Sequence, residues 1–136
     1  YTPYMQEINR RLLKDKGGAL IIDYGDNVGE ERVGNTLQSL YHHRYADILE
    51  NPGEQDLTHH VNFAVLKSYL DHEKLNVSLK NQGDFLLSLG LELWIEKLCN
   101  KADKEIALRA KAAAAARLIA PQEMGNLFKV LAVESQ

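Results

Sequence analysis

The residues best suited to chemistry stand at the end of an apolar run. In GGALIIDYGDNVG, residues 17–29, the apolar Ala19 to Ile22 give way at once to Asp23, Tyr24, Gly25 and Asp26. In open α/β sheets, ligands gather at the carboxyl ends of the strands. A carboxylate at such an edge reads as the rim of a site. The competing reading is that Asp23 only caps a turn. Other chemistries fail on spacing. GDNVGEERVGN has neither the G-x-G-x-x-G pattern nor the Gly-Lys-Ser/Thr of a phosphate loop. A calcium loop alternates its carboxylates, and Gly25 breaks that alternation. His42-His43 and His59-His60 are adjacent pairs, whereas zinc helices space their ligands one turn apart. They read as surface or hydrogen-bonding histidines, and no metal is expected. Cys99, beside Leu98, reads as a small apolar residue rather than a nucleophile. Trp94 reads as core, and Arg109 and Arg117 as solvated edges of an alanine-rich helix.

The elements that must position these residues follow from patterning. TPYMQEINRRLLKDKGG predicts a helix with Thr2 as N-cap, Pro3 in its first turn and Met5, Ile8 and Leu12 on one face, stopped by Gly17-Gly18. ALII predicts a strand buried on both faces of a parallel sheet. Residues 25–55 form a polar connection long enough to hide elements of its own, and TLQSLYHHRYADIL could hold a strand or helical turns. DLTHHVNFAVLKSYLDHEK reads as one helix, with Asp56 and Thr58 as cap oxygens and Val61, Val65 and Tyr69 spaced by four. LNVSLKNQ alternates strictly and predicts a half-exposed strand. GDFLLSLGLELWIEKLCNKA is helical with a break at Gly90, and DKEIALRAKAAAAARLIA is a helix ended by Pro121. MGNLFKVLAV, residues 124–133, predicts a closing strand. The fold class is α/β.

Bulk composition narrows the function classes. A chain of 136 residues supports one core rather than two. Its net charge of −3 lacks the basic surplus of a duplex-binding protein, so no nucleic acid is expected. No apolar run approaches the ~20 residues that span a bilayer. The single cysteine excludes an internal disulfide framework and fits a reducing compartment. The chain opens on Tyr1 inside a predicted helix, and only three strands are evident, few for this class. A piece of a longer protein is therefore expected, with ALII presenting an edge to absent strands. By itself the chain is expected to form a homodimer or to bind a partner.

Four motifs in order carry a resemblance over almost the whole chain. GGALIIDYG (17–25), TLQSLYHHRYADILENPGEQDLTHHVNF (36–63), NQGDFLLSLGL (81–91) and MGNLFKVLAV (124–133) resemble the MidA-type family. These are S-adenosylmethionine-dependent methyltransferases, known in mitochondria as an assembly factor for respiratory complex I. The chain departs from the family at Asp26, where DYG is often followed by His, at Asn62, often Asp, and at Asn81, often Thr.

The resemblance implies the C-terminal part of a Rossmann-like class I methyltransferase sheet whose last strand runs antiparallel. Residues 1–136 would be the C-terminal portion of a single methyltransferase domain, with the cofactor loop in the N-terminal half. It implies S-adenosylmethionine as cofactor and an arginine of a complex I core subunit as substrate. The compartment would be the mitochondrial matrix, or the cytoplasm if the chain is bacterial. A guanidinium has a pKa above 12, so its alkylation needs groups that orient it and help remove a proton. Asp23 and His60 are the expected catalytic residues, and Tyr24, Asp56, Thr58 and Gln82 the expected substrate contacts. The alternatives are a non-catalytic assembly or scaffold protein that keeps the fold, and an unrelated nucleotide-dependent α/β enzyme supported only by GGALIIDYG.

Overall fold

The computed structural model describes residues 1–27, 36–100 and 105–136. The acidic stretch 28–35 and the side chain of Cys99 lie outside the described residues. In chain order the elements are α1 (Thr2–Asp15), β1 (Gly18–Asp26), β2 (Gln38–Tyr41), β3 (Arg44–Tyr45), β4 (Asp56–Thr58), β5 (Val61–Asn62) and α2 (Phe63–Ser68). They continue with β6 (Leu75–Asn81), α3 (Gln82–Ser88), α4 (Leu91–Asn100), α5 (Glu105–Ile119), α6 (Met124–Leu127) and β7 (Phe128–Ser135).

Two sheets result. The larger has the order β5-β1-β7-β6, and the smaller β3-β2-β4. β7 runs antiparallel to both β1 and β6, with Gly18 opposite Glu134 at one end and Tyr24 opposite Phe128 at the other. The last strand is thus antiparallel and central. On its other side β1 is hydrogen-bonded only at its tip, in parallel, with Gly25 opposite Val61 and Asp26 opposite Asn62. Its outer edge before Gly25 has no partner among the described residues.

The expectation that β1 is buried on both faces is corrected. Ala19 and Ile21 face the core formed by Met5, Leu12, Phe63, Leu66, Leu70, Leu75, Leu131 and Val133. Leu20 and Ile22, on the opposite face, are about half exposed. The reason is coverage. α1 and α2 blanket one face, while α3 and α6 pack on the other only near its end, where Val130 is buried. β6 keeps its predicted alternation: Leu75, Val77 and Leu79 belong to the core side.

Three further readings change. The N-cap of α1 is Tyr1, while the Thr2 hydroxyl lies 2.7 Å from the Tyr69 hydroxyl. MGNL is a short helix before the last strand, because Gly125 packs on the backbone of Ile119 and Ala120. Residues 56–62 are two short strands, not the start of a helix. Asp56 and Thr58 are drawn into β4 by pairing with Leu40 and Gln38 of β2. The helix starts only at Phe63, capped by Asn62, whose Oδ1 accepts the Val65 amide at 3.2 Å. An aspartate would cap equally well. Asn62→Ala should cost about 1 kcal/mol, measured by urea unfolding of the full-length protein; an unchanged midpoint would remove the cap from the account.

Gly90 breaks the helical pair as predicted, with φ 81°. Trp94 is not core: it is 65% exposed, because no described element covers that side of α4. Arg117 is exposed and pairs with Glu123 at 3.3 Å.

Candidate functional site

The site grows from one glycine. A Cβ on Gly25 would sit 2.1 Å from the carbonyl oxygen of Val61, inside any real contact distance. Only glycine lets β5 lie against the tip of β1 in this register. That register brings the residue just before β5, His60, onto the carboxyl end of β1. Its ring Nδ1 lies 3.1 Å from Asp26 Oδ2. The backbone N–H of His60 donates to the Thr36 hydroxyl at 3.3 Å. The His60 ring meets Tyr24 edge-on at 5.9 Å, and Tyr24 in turn meets Phe128 of β7 in the same way. Imidazole, carboxylate and phenol thus converge at the strand's carboxyl end.

Strand alternation divides the predicted residues. Tyr24 and Asp26 share one face of β1, and Asp23 lies on the other. Asp23 lines a cleft of about 200 Å³ with Tyr1, Tyr4, Met5, Ile21, Val61 and Leu66. Its Oδ1 accepts the amide of Tyr24 at 2.8 Å. The structure therefore joins His60 to Tyr24 and sets Asp23 behind them. Asp56 and Thr58 lie in β4 of the smaller sheet. Gln82 opens α3, is buried, and donates from Nε2 to the Leu118 carbonyl at 2.9 Å, which ties α3 to α5. The hairpin tip between β2 and β3 holds His42 and His43 at φ 48° and 62°, the geometry of a tight hairpin turn. His59 and His60 stand between strands, so the helical-spacing objection to them does not apply.

Sequence reasoning missed Asp26 and Thr36. The signal for Asp26 was present: DYGD places Tyr24 and Asp26 two apart, hence on one face of a strand. The partner, His60, is 34 residues away, and only the tertiary register reveals it.

Electrostatics elsewhere are structural. Hydrogen bonds from Arg10, then Arg11, push the Glu7 carboxyl down to about 2. All three side chains are exposed on α1, one helical turn apart, so they staple the helix surface. Among the described residues no group of three or more His, Cys, Asp or Glu is close enough to hold a metal ion. No described helix is long and apolar enough to cross a membrane.

The fold and site define a class. The chain belongs to a family of S-adenosyl-L-methionine-dependent methyltransferases, whose model matches residues 1–80. Among curated relatives, it is 30% identical over 129 residues to the Mus musculus protein arginine methyltransferase NDUFAF7, mitochondrial, covering 95% of this chain and 29% of that protein. The Danio rerio protein of the same name is 30% identical over 130 residues, covering 95% and 30%. A COG1565 superfamily protein from Burkholderia thailandensis superposes with a TM-score of 0.79 at 28% identity, covering 97% of this chain and 36% of that one. A second structure from that organism, bound to S-adenosyl-homocysteine, gives 0.75 at 28% identity, covering 97% and 35%. The chain thus spans about a third of these relatives. The expectation of a MidA-type methyltransferase with an antiparallel last strand holds.

The cleft at the carboxyl end of β1 is too small for the whole cofactor. The cleft beside Asp23 is about 200 Å³, below the roughly 300–1,000 Å³ of small-molecule sites. A larger recess of about 550 Å³, bounded by Gly18, Leu20, Asn76, Ser78 and Glu134, lies at the amino end of β1. That is the wrong end of a strand for ligands of this fold class.

Proposed function

We propose that this chain is the substrate-facing, C-terminal portion of a methyltransferase domain that methylates protein arginine, with the cofactor held by residues beyond those described. The observation that carries this reading is the His60–Asp26–Tyr24 group at the carboxyl end of β1. Family membership supplies the methyl donor, and the names of the curated relatives favour arginine and the mitochondrion.

S-adenosylmethionine, when bound, would supply the methyl group and keep the bonding pair on its sulfur, and a guanidinium nitrogen that takes the methyl must give up a proton. The tasks left to this chain are to orient the nitrogen and to receive that proton. His60 suits the second task, because a neutral imidazole presents one ring nitrogen as an acceptor. Tyr24 suits the first, as an aromatic ring beside the imidazole whose face attracts a cation. Asp23 contributes from the other face of β1, through the Tyr24 backbone that it holds. Gln82 acts at a distance by fixing α3, and Asp56 and Thr58 by fixing the small sheet that flanks His60. The substrate we propose is a core subunit of respiratory complex I, in the mitochondrial matrix, as the family resemblance implies.

The test uses the full-length protein. Calorimetry should show binding of S-adenosylmethionine, and radiolabelled methyl groups should appear on arginine of a complex I subunit. Binding without arginine label would overturn the substrate assignment. Absence of binding would overturn the enzymatic reading.

A further inference from the structure

The contact between Asp26 and His60 has a chemical consequence that neither residue has alone. An ionised carboxylate can only accept hydrogen bonds. Asp26 Oδ2 lies 3.1 Å from His60 Nδ1, a contact that a ring proton on Nδ1 satisfies by donating to the carboxylate. In the neutral ring this leaves Nε2 bare, with its lone pair available. Which nitrogen of a histidine is free is set by the bond that the other one makes.

Two further restraints hold the imidazole in this pose. The His60 backbone is fixed by the Thr36 hydroxyl at 3.3 Å, and the ring forms a T-shaped contact with Tyr24 at an interplanar angle of 78°. The backbone of Asp26 is held in register with Asn62, the cap of α2. The pair is partly open to solvent, with His60 30% and Asp26 47% exposed, so a substrate group can reach it.

We propose that Asp26 is a positioning residue that locks His60 with Nε2 as the acceptor for an N–H of a cationic nitrogen group, a guanidinium in the reading above. This deepens that reading and rests on it for the identity of the substrate.

Two readouts on the full-length protein test this. The first does not depend on activity. With ¹⁵N-labelled histidine, long-range ¹H–¹⁵N spectra are recorded about two pH units above the ordinary imidazole pKa of about 6.5. His60→Gln identifies the resonances. The wild type should show a protonated Nδ1 and a bare Nε2. Asp26→Ala should return the ring to a mixture of tautomers. The milder Asp26→Asn, which keeps the shape, guards against loss of fold. A bare Nδ1 in the wild type, or a tautomer that no Asp26 variant changes, would overturn the proposal.

The second readout is methyl transfer. Asp26→Asn and His60→Gln should each lower kcat by about 10²-fold with KM nearly constant. The double variant should be no slower than His60→Gln alone, since the two act as a unit. Fully multiplicative losses would overturn the proposal. If the wild type transfers no methyl group, the arginine reading fails, and the tautomer spectra still decide whether Asp26 locks His60.

Discussion

Gly25→Ala should destabilise the protein by about 3 kcal/mol and abolish the candidate site with it. Overpacking normally costs ~1–3 kcal/mol, because flexible side chains move aside. Here the added methyl would meet backbone, the Val61 carbonyl at 2.1 Å. The strand itself must shift, so the upper end of that range applies. Shifting β5 carries His60 away from Asp26, since the register of β5 on β1 sets His60 beside it. Urea unfolding of the full-length protein measures the first effect, and the His60 tautomer the second. An alanine variant of unchanged midpoint would mean that β1 and β5 are not in this register.

The second large effect is expected at Phe63. Its side chain is fully buried, at the start of α2, against a core shared by α1, β6 and β7. Phe63→Ala should cost about 3–5 kcal/mol, the transfer of a large ring plus the cavity it leaves. Trp94→Ala removes an even larger ring, yet it should change stability by no more than about 0.5 kcal/mol, because Trp94 is 65% exposed. Comparing the two midpoints tests burial directly. Equal losses would mean that α4 is covered in the full-length protein, with Trp94 part of a core there.

The fold was readable where signals are local. The alternation of LNVSLKN gave β6, and the α3–Gly90–α4 break was visible as a glycine in a helical pattern. Sequence failed where pairing is distant. DLTHHVNFAVLK carries apolar residues at helical spacing and two good cap oxygens, so a helix from Asp56 was the local optimum. Two long-range ladders override it: β4 on β2, and β5 on β1 through Gly25. The same override hid half of the site. Asp23 and Tyr24 were visible as the end of a strand. The separation of Asp23 from His60 depends on which face each side chain takes. That became readable only once β1 was paired on both sides. Gln82 looked like a polar residue available for binding, but its amide is used on the Leu118 carbonyl. No local pattern announces a bond between residues 36 positions apart.

The place of β7 has a consequence for synthesis. It is the last strand in chain order, yet it lies between β1 and β6, and the Gly17 amide closes on Ser135 across 118 positions. While residues 128–135 are still in the ribosome, β1 and β6 have no ladder between them. The emerged chain then presents the apolar sides of two strands with nothing to join them. Nascent chains stalled just short of this strand should therefore recruit chaperones, and release of eight more residues should let the whole sheet close in one step.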